Sequence, residues 1–209
     1  MKLFFVGGTY RPGHGSEPPP TMEAMAASMQ PLAAELASAS HDLALCSPYE
    51  GSVDLEIMRG AAVCGVDPTI EIHYPNTAAI RAAVHARSSE LGLRTLREFT
   101  HAPMEEEGEK AARYAWLLAQ LGARETAHVV IAAGGYPSGS ANMLLHLAAA
   151  RRKLILPFGH LGGAAARSLD RHRYELDEAA RRSNRTGSAL RRHECSPAGR
   201  GERPRGAAR

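Results

Sequence analysis

Residues 128–150 read HVVIAAGGYPSGSANMLLHLAAA. The run from His128 to Ala133 is apolar, rich in β-branched residues and too short for a helix, and it stops at Gly134-Gly135. A strand covered on both faces has that pattern. Ser138-Gly139-Ser140 then opens an Ala- and Leu-rich stretch that predicts a helix over 140–151. A buried strand, a glycine turn and a helix make half of a βαβ unit, and a parallel sheet follows.

The same alternation extends in both directions. Leu3-Phe4-Phe5-Val6 is a buried strand ending at Gly7-Gly8, and residues 7–20, with four Gly and four Pro, form a loop. Thr21 caps a helix with Glu23 in its first turn, and apolar residues recur at helical spacing to Leu36, with a kink or break expected at Pro31. Leu43–Cys46 is the second strand, followed by the loop 47–54 and a helix near 55–64. Residues 69–74 alternate as a third strand, 77–91 are helical, 93–99 form a fourth strand and 104–121 a helix. Lys153–Leu156 is the last strand before Pro157, and Gly162-Gly163 opens a final helical stretch. The fold class expected is α/β, a Rossmann-like doubly wound parallel sheet with right-handed crossovers.

The chain has 209 residues, 25 basic and 22 acidic, a net charge of +3. Residues 183–209 hold seven Arg and two Glu, +5, so the preceding 182 residues carry 18 basic and 20 acidic groups, −2. That tail of Arg, Gly, Ser and Pro has too little apolar surface to offset its ordering entropy, and disorder is expected. A domain at 1–182 and a tail at 183–209 follow. Arg outnumbers Lys 22 to 3 throughout, so a solvated tail outweighs contact with nucleic acid or an acidic membrane. The apolar start at residues 3–6 is too short for a signal peptide or a membrane span. Three widely spaced Cys (46, 64, 195) without a CxxC pair argue against a disulfide framework or a thiolate zinc site, and a cytoplasmic protein is expected.

In a parallel sheet the loops after each strand lie on one rim, where open α/β sheets bind ligands. Gly7-Gly8-Thr9, the loop 47–54, Asn76-Thr77, Gly134–Ser140 and Gly162-Gly163 all fall there. Small polar residues at helix starts suit a phosphate, so this convergence points to a nucleotide-like ligand. Each piece has a plainer reading, a tight turn at Gly7-Gly8 or simple capping at Ser138–Ser140. Neither GxGxxG nor a P-loop is present.

Ile131–Gly135, Ser138-Gly139-Ser140, the Ala-rich helix to Ala150, Leu154–Pro157 and Gly162–Ala165 together resemble the SLOG superfamily, over about residues 1–168. That group includes the "lonely guy" phosphoribohydrolases, DprA-like proteins and domains that sense nucleotide-derived signals. Nucleoside deoxyribosyltransferase and TIR-like folds share the rim. The resemblance implies that Gly7, Gly8, Gly134, Gly135, Gly139 and Ser140 cradle a nucleotide's phosphate and ribose. Thr9, Arg11, Ser138, Asn142, Gly162 and Gly163 join them as candidate ligand-binding residues. Phosphoribohydrolases carry a Glu pair directly after their Gly-Thr, where this chain has Ala141-Asn142-Met143-Leu144, with Tyr136-Pro137 inserted upstream. Asn can bond a ribose hydroxyl but cannot serve as a general base.

Glu50, Asp54 and Glu56, after the second strand, are the candidate catalytic acids, although a solvated loop and helix start explains them too. Glu105–Glu107 fit the dipole of a helix start. Tyr10 and Tyr136 are candidates to stack on a base. His73, His101 and His160 lie near strand ends, but no HxxxH or HExxH occurs, so neither a metal nor a cofactor is expected. Cys46 reads as a buried strand-end residue, and no GxSxG elbow is present. The leading expectation is a module that binds or senses a nucleotide or nucleotide-derived ligand at the rim. The alternative is an N-glycosidase or deoxyribosyltransferase cleaving the base–ribose bond. A structural Rossmann-like partner with a filled rim is the third reading. A homo-oligomer through Ala-rich helices is left open.

Overall fold

Along β1 (Lys2–Val6) the side chains of Leu3 and Phe5 pack on one face of a sheet and those of Phe4 and Val6 on the other, all buried. The continuous apolar run is therefore a strand covered on both sides. The structure, a computed structural model, describes residues 1–7, 21–101, 109–173, 177 and 181. Met1–Arg171 pack as one unit. The Arg-rich segment 183–209 lies outside the described residues.

After β1 the chain forms α1 (Met22–Ser38), β2 (Asp42–Leu45), α2 (Val53–Ala62), β3 (Ile70–Pro75), α3 (Ala78–Glu90), β4 (Leu96–His101), α4 (Glu109–Thr126), β5 (Val129–Ala133), α5 (Ser140–Ala150) and β6 (Leu154–Phe158). A 3-10 turn, Gly159–Leu161, leads into helical residues 163–171, α6. The strand order is β4-β3-β2-β1-β5-β6, and every pairing among the described residues is parallel. The expected Rossmann-like α/β sheet is what the chain forms. Helices α1 and α2 cover the face of Leu3 and Phe5, and α4, α5 and the start of α6 cover the face of Phe4 and Val6.

Local chemistry sets the helix ends. Thr21, Ser52 and Thr77 are N-caps whose hydroxyls accept from Ala24, Leu55 and Ile80. Several boundaries differ from expectation, among them α4, which runs on to Thr126 rather than ending at 121. Helix α1 runs unbroken through Pro31. Pro31 and Ala27, whose carbonyl loses its donor, are both exposed, so water can replace that bond. Strand β4 starts at Leu96, because Leu91–Leu93 end α3 instead. Gly92 takes φ 67°, its N–H donates to the Ser89 carbonyl, and the Leu93 N–H donates to that of Ser88. Strand β6 continues through Pro157, which an edge strand tolerates.

On the α4 side of the sheet the small Ala44 of β2 lies between β1 and Glu71 of β3, and Lys2 reaches across it. Lys2 Nζ sits 2.6 Å from the buried Glu71 carboxylate, as a charge pair without the alignment of a hydrogen bond. His73 stacks on Phe99 at 4.6 Å and meets His101 through Nδ1 at 3.3 Å, while its buried Nε2 has no hydrogen-bond partner. Burial, then His101 and Lys2, push the His73 pKa down to about 4. The folded imidazole stays neutral at pH values where the unfolded one charges, so His73 costs stability as pH falls from the ordinary value of 6.5 toward about 4. Denaturant titrations of wild type and His73→Gln across that range are expected to show a shallower acid loss in the variant, and parallel curves would contradict this assignment.

Candidate functional site

Helices α1–α3 carry the chain from β1 outward to the β4 edge, and α4 returns it to β5, so the direction of winding reverses between β1 and β5. At such a switch point the flanking helices diverge and leave a crevice at the carboxyl ends of the strands. A cavity of about 240 Å³ lies there, lined by the end of β1 from Phe4 to Gly7, by Cys46, Ser47 and Tyr49 after β2, by Asp54 of α2, by Trp116 and Gln120 of α4, and by Ser140, Ala141 and Leu144 of α5. Tyr49 and Trp116 meet edge to face, with ring centroids 6.0 Å apart.

Asp54 is the one charged group among the described residues that line the cavity. Ser52 caps α2, and its hydroxyl donates to the Ser47 carbonyl, so the loop folds back over the helix start. That places the Asp54 carboxylate against the loop backbone, where Oδ2 accepts from the N–H groups of Cys46 at 3.0 Å and Ser47 at 2.6 Å. Burial raises the Asp54 pKa to about 6, although both backbone bonds oppose the shift, and no cationic side chain among the described residues contributes. The Cys46 thiol is pushed well up by burial and then by Asp54, so it is a neutral thiol and a poor nucleophile.

The other two candidate acids lie elsewhere. Glu56, 1% exposed, accepts from Gln30 of α1 at 2.6 Å and pairs with Arg59 at 2.5 Å, tying α1 to α2. Glu50 is exposed and bridges Arg59 and Arg87, both at 3.1 Å. Neither lines the cavity.

Of the expected ligand-binding residues, Gly7 and Ser140 line the cavity. Gly7 is also pressed against Val53 and the Ala133 carbonyl, with no room for a Cβ. Gly134 and Gly135 adopt φ 69° and 84°, and their carbonyls accept from Ala165 and Ala164 at 2.9 and 2.8 Å. Gly163, at φ 59°, sits against the Gly135 carbonyl where any side chain would collide. These glycines clasp α6 to the turn after β5, and Gly162 adjoins them. Gly139 is the N-cap position of α5, Ser138 is exposed, and Asn142 accepts from Arg171 at 3.4 Å. Gly8, Thr9, Tyr10, Arg11 and Glu105–Glu107 lie outside the described residues. Tyr136 does not line the cavity.

Tyr49, Ser47, Trp116 and Gln120 were not singled out from the sequence. The signal available was that Trp116 is the chain's one Trp, with Gln120 a helical turn later. Among the described residues, no group of three or more His, Cys, Asp and Glu is placed to hold a metal ion, and no helix is long and apolar enough to cross a membrane. No family model, curated protein or solved structure matches the chain.

Because the folded Asp54 takes up its proton near pH 6 and the unfolded one near 3.8, its contribution to stability is fully present below about 3.8 and is lost as pH rises through about 6. Urea titrations are expected to show wild type losing up to roughly 3 kcal/mol relative to Asp54→Asn over that interval. A pH-independent difference between the two proteins would contradict it.

Proposed function

We propose that the chain is a SLOG-like module that binds a nucleotide or nucleotide-derived ligand in the cavity between β1 and β5, acting as a sensor or regulatory unit. The observation that carries the reading is the cavity itself: it opens at the switch point and combines an aromatic pair, a buried carboxyl group and the first turn of α5. Aromatic walls and a few fixed polar groups are the usual makings of a small-molecule site. A third reading, a rim filled by side chains, fits less well, since a rim used only for packing would not leave this volume.

A second reading is supported by Asp54. A carboxyl group with a pKa near 6 in the wall of the switch-point cavity is suited to proton transfer, or to stabilising a developing ribosyl cation, in cleavage of a base–ribose bond. Chromatography of nucleosides, nucleoside monophosphates and NAD incubated with the protein tests it. Release of free base that disappears in Asp54→Asn and survives in Glu50→Gln supports the enzyme; release that persists in Asp54→Asn removes Asp54 from the role.

Binding is tested by calorimetry and thermal shift with nucleosides, nucleotides, dinucleotides and cyclic nucleotides, together with mass spectrometry of whatever co-purifies. At least one such ligand is expected to bind, and Trp116→Ala or Tyr49→Ala to weaken it by about tenfold or more through lost ring contact, while Glu50→Gln leaves it unchanged. Absence of any binding and of any co-purifying nucleotide would overturn the reading.

A further inference from the structure

We propose that the cavity receives the base end of the ligand and that Asp54 reads an N–H donor on it, so that amino-bearing bases are taken in preference to their oxo counterparts. This rests on the nucleotide-derived reading above and adds to it the orientation of the ligand and the selectivity of the site.

Size and charge set the orientation. At about 240 Å³ the cavity is smaller than the roughly 300–1,000 Å³ of sites that enclose a whole drug-sized ligand, so it holds a part of a nucleotide. Among the described residues that line it there is no Lys, Arg or His, and the single charge is the Asp54 carboxylate. A phosphate beside that carboxylate would meet like charge with little water to screen it. A flat, uncharged ring suits the surface offered by Tyr49 and Trp116.

The hydrogen bonds of Asp54 set the selectivity. Both backbone N–H groups fall on Oδ2, so Oδ1 is the atom of this residue left to meet a ligand. An ionised carboxylate accepts and does not donate. The complementary group is therefore a donor, an exocyclic amino group or a ring N–H. Ligand N–H groups would also supply the stabilisation of the charge that no described side chain provides. Cys46 and Tyr49, the other titratable groups on the wall, are both shifted toward their neutral forms, so Asp54 alone changes charge near neutral pH.

The geometry dictates an unusual outcome for one variant. In Asp54→Asn the loop N–H groups of Cys46 and Ser47 still require an acceptor, so the amide oxygen takes the place of Oδ2 and the amide nitrogen turns to the cavity. The wall then donates where it had accepted. Calorimetry of the full chain with adenosine against inosine, and cytidine against uridine, is expected to show wild type preferring the amino member of each pair by about tenfold or more. For Asp54→Asn the preference should shrink or invert toward the oxo member, with thermal melting confirming that the variant is folded. For wild type, adenosine affinity should also rise as pH increases through about 6, a readout that needs no variant. Nucleosides or nucleotides that bind wild type without amino–oxo discrimination overturn this inference alone; absence of any binding overturns it together with the reading it rests on.

Discussion

The structure hangs on the two-sided pairing of β1. Its backbone groups bond to β2 on one side and β5 on the other, so it lies where the sheet changes winding direction. Its four apolar residues fill the two halves of the core in alternation: Leu3 and Phe5 meet α1 and α2, Phe4 and Val6 meet α4 and α5. A one-residue slip of register would exchange those halves. The strand also sets where function can arise. Helices approach its carboxyl end from opposite faces without closing over it, and Phe4 to Gly7 become the floor of the cavity.

Charge has a subordinate part in that design. The net +3 belongs to the Arg-rich segment from residue 183 onward, and the preceding chain is close to neutral. Inside the compact unit, the charged groups that matter are few and buried. Glu71 answers Lys2 across β1 and β3, while Glu56 pairs with Arg59 within α2 and accepts from Gln30 of α1. Removing one member of such a pair is more harmful than never having had it, since the survivor is left buried without a partner. Asp54 differs from both because, among the described residues, backbone N–H groups are its hydrogen-bond partners and no cation answers it.

Much of the fold was legible because buried parallel strands leave uninterrupted apolar runs, and because Thr21 and Thr77 announce helix starts. β4 was displaced because Leu93, an apolar residue after a helix, serves its C-terminal cap rather than a strand. The signal available for that is Gly92, a residue suited to the positive φ of a helix C-terminus. The candidate site was less legible. Glu50, Asp54 and Glu56 look equivalent along the chain, and what separates them is helix phase. Asp54, in the first turn of α2, folds back onto the loop, while Glu56, two residues on, is turned toward α1. Trp116 and Gln120 reach the cavity because α4 returns from the β4 edge across the sheet, and a crossing path leaves no mark in local spacing. The glycines of 134–135 and 162–163, read as a phosphate cradle, have a packing role of their own in seating α6.

The choice of Asp at position 54 is itself informative. If bracing the loop were its whole duty, Asn would serve better: its carbonyl would accept from Cys46 and Ser47 in the same way, and no charge would be carried into a site that raises its pKa to about 6. Natural chains retain such locally unfavourable groups chiefly where function asks for them. What the carboxylate offers that an amide cannot is a second acceptor with a negative charge behind it, on the atom not committed to the backbone. Placed in a wall otherwise made of aromatic, aliphatic and neutral polar groups, that acceptor is the strongest directional feature a ligand would meet. The same residue thus combines a cost in stability above about pH 6 with the one charged acceptor among the described residues of the cavity wall.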